Sequence, residues 1–232
     1  MRQSQRSVIR HVLLWMTLFS IGWGQETRIQ NFTVSFLGLP VMKLERMIQT
    51  DSLMTTVSYD TKPYSRYLES IVDVANYYWV QFNNDNYSPV TWGKKTHEFS
   101  WDQEYRVTTD TTGQIFYPDS KTIESSKPYF SLFSAVAYVE DLKPQEKITI
   151  NVLIEGRFFN VRVSPKEFDK DARRYDVEFM DFVGTNIFEK TDILLTKLSN
   201  NGTILSLWVH PEKGIIKTQF GKSPMSVDVR RN

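Results

Sequence analysis

Few side chains in this 232-residue chain are of the types that do chemistry, and their spacing is unhelpful to it. There are three histidines and no cysteine. His11 falls in the first 24 residues, leaving His97 and His210 far apart, neither in an HExxH or HxH arrangement that could hold a metal. Both read as surface histidines, His210 at a strand-to-turn junction in WVHPEKG. None of the ten glycines builds a G-x-S-x-G elbow or a phosphate-cradling loop. Paired carboxylates remain, in Glu167, Asp169, Asp171, Asp176, Glu178 and Asp181. Such acids can bind calcium or act as general acid and base. Lys166, Lys170, Arg173 and Arg174 are interleaved with them, though, and no glycine supplies a calcium loop's sharp turn, so the stretch reads as a solvated charged loop. Asn83, Asn84, Asp85 and Asn86 read as a turn for a similar reason. The sequence thus assigns no catalytic residue, no metal ligand and no cofactor.

Aromatics are the informative excess, at 14% of residues. Tyr77, Tyr78, Trp79, Phe82, Tyr87, Trp92, Phe99 and Trp101 crowd one region. Such a surface either closes over its own core or offers an apolar cavity to a ligand. The ligand-facing set expected here is Tyr78, Trp79 and Phe82 from that region, with Phe130 and Phe133 from a helix expected at about residues 129–140.

That helix is the element around which the rest is arranged. In KPYFSLFSAVAYVEDL, apolar residues fall at Phe130, Phe133, Val136, Ala137 and Val139, the spacing of one helical face. Pro128 precedes it and Pro144 follows it. Elsewhere strand signals dominate. Phe32, Val34 and Phe36 alternate with polar residues, as do Leu53, Thr55, Val57 and Tyr59. Residues 64–82 satisfy either period, and their β-branched and aromatic content favours one long strand. Residues 148–163 form a hairpin about Glu155-Gly156. Residues 175–182, 187–198, 203–209, 214–220 and 225–229, with a turn at Asn200-Asn201-Gly202, complete ten or more strands. The fold expected is mostly β: an antiparallel, strongly curved sheet or incomplete barrel or sandwich, with one short central helix as plug or lid.

Residues 1–24 carry Arg2, Arg6 and Arg10, then an apolar run, then Gly22 and Gly24, the layout of a secretory signal peptide. The run is shorter than the about 20 residues a membrane span needs. Residues 25–232 would then be a single exported β-rich domain with no integral span. Without the leader, 25 basic side chains face 27 acidic ones, so nothing points to nucleic acid. With no disulfides available, the fold rests on core burial.

The stretches FTVSFLGLPV, VQFNNDNYSPV, the strand of residues 105–110 with Gly113, the helix FSLFSAVAYV and ILSLWVHPEKGIIKTQFG occur in an order and spacing that resembles the exported bacterial proteins of domain-of-unknown-function family 3108. The resemblance implies a periplasmic, mostly antiparallel β-protein with no established activity, similar in outline to open barrels that carry lipoproteins. It supplies no catalytic residues. The expected function is non-catalytic binding or carriage of an apolar envelope molecule, such as lipid. The alternatives are an envelope scaffold that grips a protein, and a hydrolase acting on envelope glycans or lipids.

Overall fold

The computed structural model describes residues 25–69, 72–198, 202–221 and 226–232. The expected leader, Ile71, Met225 and the Asn200-Asn201 turn lie outside these residues.

Alternating apolar residues drive fifteen strands into one sheet, in the order β8-β7-β6-β5-β4-β3-β2-β1-β15-β14-β13-β12-β11-β10-β9. Two antiparallel meanders make it up. The first runs in chain order: β1 (Glu26–Phe36), β2 (Leu39–Thr50), β3 (Met54–Pro63), β4 (Val74–Asn83), β5 (Pro89–Glu98), β6 (Trp101–Thr109), β7 (Gln114–Phe116) and β8 (Thr122–Glu124). The second starts at the far edge with β9 (Phe130–Ser131), parallel to β10 (Ile148–Ile154), and continues through β11 (Arg157–Asp169), β12 (Ala172–Gly184), β13 (Ile204–His210), β14 (Gly214–Phe220) and β15 (Val227–Arg231). Pairing of β1 with β15 joins the two.

The connection from Glu124 to Phe130 decides the shape. Six residue steps reach about 20 Å at most, yet they join the two outermost strands of the sheet. The sheet must therefore roll until its edges approach. Tyr129 spans the seam: its ring meets Trp92 of β5 at 6.4 Å and Phe158 of β11 at 5.7 Å, and its hydroxyl lies 2.7 Å from Thr109 Oγ1. Since the edges do not pair among the described residues, the result is an incompletely closed barrel, as expected.

The central helix is α2 (Leu132–Leu142); α1 is the single turn Arg66–Glu69 and α3 is Ile193–Leu198. Three boundaries differ from expectation. The helix starts at Leu132, because Ser131 is held in extended conformation as its N-cap: Ser134 N–H donates to Ser131 Oγ, and Ser134 Oγ accepts from Ser131 N–H. Phe130 is thus in a strand. Residues 64–82 do not form one strand, because Ser65 accepts from the amides of Leu68 and Glu69 and closes a helical turn after Pro63. Within 187–198, Asp192 Oδ1 accepts from Leu195 N–H at 2.9 Å and starts α3, which buries Leu195 and Leu198. The helix expected to stand alone therefore has two short companions.

The rolled sheet encloses α2. One core cluster, mainly from β10–β14 with Phe32 of β1 and Leu195 and Leu198 of α3, takes Leu132, Ala135 and Val139; another, mainly from β3–β7 with Leu153 of β10, takes Ala137 and Tyr129. Phe133, Leu44 and Leu194 pack against both. No helix among the described residues is long and apolar enough to cross a membrane.

Candidate functional site

The rings expected to face a ligand are engaged with one another and with their neighbours. Phe133 stacks on Tyr59 at 4.5 Å and lies 5.2 Å from Tyr78, so these rings occupy one another. Phe130 rests on Tyr138 at 4.9 Å near the seam. Trp79 sits on the opposite face of β4 from Tyr78 and Phe82, because successive strand residues alternate sides. There it stacks on Tyr77 at 5.7 Å and covers Gly93, where a Cβ would run into the Trp79 ring and the Tyr105 carbonyl. Of the five residues expected to face a ligand, Phe82 lines a cleft.

That space is a cleft of about 340 Å³ at the C-terminal end of α2. Three neighbouring rows of the inner sheet face build its wall. Glu26, Thr50, Thr55 and Phe82 are successive cross-strand partners, as are Arg28, Ile48, Val57 and Val80, and then Gln30, Arg46, Tyr59 and Tyr78. Ile48, Val57 and Phe82 give it an apolar floor, with Ala137 of α2 opposite. Glu140 and Asp141 bring carboxylates from the helix end.

Arg46 and Glu140 meet at 2.6 Å with side chains 2% and 4% exposed. Two charges this far from water persist only if hydrogen bonds complete the pairing. Arg46 Nη1 donates to Gln30 Oε1 at 3.1 Å, and Glu140 Oε1 accepts from Ile215 N–H at 2.9 Å. Gly214 makes room for this, since a Cβ there would collide with Glu140 Oε1. Burial opposes ionisation of Glu140, but the adjacent guanidinium and the Ile215 amide hold its carboxyl below the ordinary value. Asp141 behaves oppositely: burial and the Glu140 charge raise it. Tyr87, 3.2 Å from Asp141 Oδ2, is pushed up to about 12 by burial and then by that carboxylate. Arg46 Nε is buried without a partner, and Arg28 stands exposed at the mouth. The cleft therefore offers an apolar floor with a polar, charged end.

A second buried charge cluster lies elsewhere. Lys94 Nζ contacts Glu155 Oε1 and Asp192 Oδ2 at 2.7 Å each and Thr191 Oγ1 at 3.0 Å. An ammonium has three protons, and all are taken, leaving none for a substrate. Phe188 stacks on Tyr105 at 4.4 Å, and Ile187 N–H donates to Glu155 O. The cluster thus clamps residues 187–192 across the barrel, a structural task.

His97 lies at the surface between Asp102 (2.7 Å) and Asp73 (3.1 Å), and hydrogen bonding to Asp102 outweighs slight burial to raise its pKa. His210 Nδ1 accepts from the amides of Glu212 and Lys213, a turn role. Of the acidic run, Asp176 pairs with Arg174 at 2.8 Å and Glu178 with Arg162 at 3.0 Å on the β11–β12 surface. Among the described residues no group of three or more His, Asp or Glu could hold a metal ion.

The chain matches no known protein family and no characterised protein. Among solved structures it is similar to a β-barrel-like protein of domain of unknown function DUF1849 from Brucella abortus, at 7% identity, covering 90% of this chain and 95% of that one with a TM-score of 0.49. None of these comparisons indicates a catalytic family.

Proposed function

We propose that this β-domain binds or carries a small amphiphilic molecule in the cleft at the end of α2. One observation carries the reading: open volume of about 340 Å³ stands against Ile48, Val57 and Phe82, between the inner sheet face and the end of α2. That volume lies within the range of ligand pockets, about 300–1,000 Å³. The apolar part of the ligand rests on the floor, and its polar end meets Arg28 and Asp141. Membership in the 3108 family, export by the leader and a periplasmic setting belong to the same proposal, and the sequence pattern supports them.

The experiment uses the purified protein. Lipid extraction should recover a co-purifying amphiphile, and the protein should take up anilinonaphthalene sulfonate while folded. Ligand at about 100 times its Kd adds about 2.7 kcal/mol, or roughly 5–10 °C in Tm for a chain of this size. Thr50→Trp, which fills the cleft from its rim, should abolish uptake and the ligand-dependent shift while keeping the unliganded Tm. Absence of both lipid and dye in the wild-type protein overturns the reading.

A further inference from the structure

The outer face of the sheet carries a row of cations that strand register brings together. Lys62 of β3 is directly opposite Lys43 of β2, and Lys43 opposite Thr33 of β1. Thr33 faces Arg230 of β15, Arg230 faces Lys217 of β14, Lys217 faces Trp208 of β13, and Trp208 faces Arg174 of β12. Seven adjacent strands thus place five cations, a threonine and a tryptophan in one line. At about 4.8 Å per strand the line is roughly 29 Å long. All of it lies outside, since the chain neighbours Phe32, Val34, Leu207 and Val209 point into the core.

Like charges directly opposite on neighbouring strands are destabilising. Here that happens twice, at Lys43–Lys62 and Arg230–Lys217. Lys62 is relieved by Asp60 at 2.7 Å and Arg174 by Asp176 at 2.8 Å. Among the described residues, Lys43, Arg230 and Lys217 have no carboxylate within 4.0 Å. Lys43 lies over the Tyr64 ring, and Lys217 is 4.0 Å from the Trp208 centroid. Among those residues these three cations lack a direct counter-ion: the flanking carboxylates, Glu45 beside Lys43 and Asp228 beside Arg230, sit two residues along the strand, and an external anion would pair with the cations directly.

The flanking rows define the anion's shape. On one side run Asp60, Glu45 and Asn31; on the other, Asp176, Ser206, Gln219 and Asp228. The basic row is one residue wide with carboxylates on both sides. A plane of negative charge, such as an anionic membrane, would press on those carboxylates. A single extended chain would not. Single-stranded nucleic acid binds largely by stacking its bases on open aromatic platforms, but the one ring in this row is already covered by Lys217 and Arg174.

We propose that this row is a docking track for an extended acidic polysaccharide, whose carboxylate or sulfate groups pair with Lys43, Arg230 and Lys217. It is independent of the cleft, which opens on the inner face.

Fluorescence anisotropy with labelled heparin, an acidic polysaccharide, tests it on the intact protein. Binding should be measurable at about 50 mM salt and fall linearly in log K against log[salt]. The variant Lys43→Gln/Arg230→Gln/Lys217→Gln should bind about tenfold or more weakly, with a slope reduced by roughly two. The control Lys95→Gln/Lys127→Gln/Lys147→Gln makes the same charge change off the row and should bind within about twofold of wild type. Without glycan, the row variant should melt close to the wild-type temperature, because the two like-charge contacts it removes offset the lost cation–ring contacts of Lys43 with Tyr64 and Lys217 with Trp208. Equal weakening in both variants, or tighter binding to polyglutamate, oligothymidylate or phosphatidylglycerol vesicles, overturns the proposal.

Discussion

Arg46 and Glu140 illustrate what single residues contribute. Their pairing is buried and supported by Gln30 and the Ile215 amide, so its removal is expensive in an asymmetric way. Glu140→Gln keeps the shape but leaves a buried guanidinium without its counter-charge, and should cost about 3–5 kcal/mol in urea unfolding. Arg46→Met/Glu140→Leu removes both charges and should recover most of that loss. A loss under about 1 kcal/mol in the single variant would show that the pair is hydrated. The pH dependence has a definite sign. Glu140 is held below its ordinary value of 4.5 when folded, so its contribution is complete above that pH and is lost as pH falls through the folded value. His97 is held above 6.5, so its contribution is complete below that pH and fades as pH rises through the folded value. NMR titration should find His97 above 6.5, and Asp102→Asn should bring it down. Neither partnership was legible in the sequence. Glu140 read as the far end of a helix and His97 as a lone surface imidazole, because nothing local marks a partner supplied by another strand. Trp79 shows a related limit: composition grouped it with Tyr78, whereas adjacent strand residues face opposite sides.

At the scale of elements, periodicity carried most of the information, and local hydrogen bonds corrected it. The hairpin at Glu155-Gly156 and the alternation of Phe32, Val34 and Phe36 were readable because one face of each strand is buried and the other is not. The helix was readable from Phe133, Val136, Ala137 and Val139, but its start was not, since Phe130 fits the same apolar stripe. The Ser131–Ser134 capping box decides it. Ser131→Ala should cost about 1 kcal/mol, within the usual range of about 0.5–2, and a fall in urea midpoint without change in slope would register it. Residues 187–198 misled for the opposite reason. Their leucines and isoleucines suit a strand, yet Asp192 both caps α3 and pairs with Lys94, so tertiary contacts override propensity. The cleft follows from these elements, because the last turn of α2 brings Glu140 and Asp141 opposite Ile48, Val57 and Phe82 of the inner sheet face.

On the scale of the whole molecule, two meanders share one helix and one seam. Separate halves would each have a private core, but Phe133, Leu44 and Leu194 pack against both clusters, and β1 pairs with β15 so that the beginning and end of the sheet meet mid-span. A halfway-unfolded state would expose the face of α2 that the lost half had covered, along with Tyr129 at the seam. The barrel should therefore unfold in one step, although its two meanders are contiguous in sequence. Tryptophan positions allow a direct check. Trp79, Trp92 and Trp101 report on the first meander and Trp208 on the second. A variant retaining only Trp92 and another retaining only Trp208 should give coincident urea transitions. Phe133→Ala should lower both together by about 3–5 kcal/mol, because the ring between Tyr59 and Tyr78 is common to the two clusters. Transitions that separate, with Trp208 surviving when Trp92 has melted, would show two independent units with α2 belonging to the second.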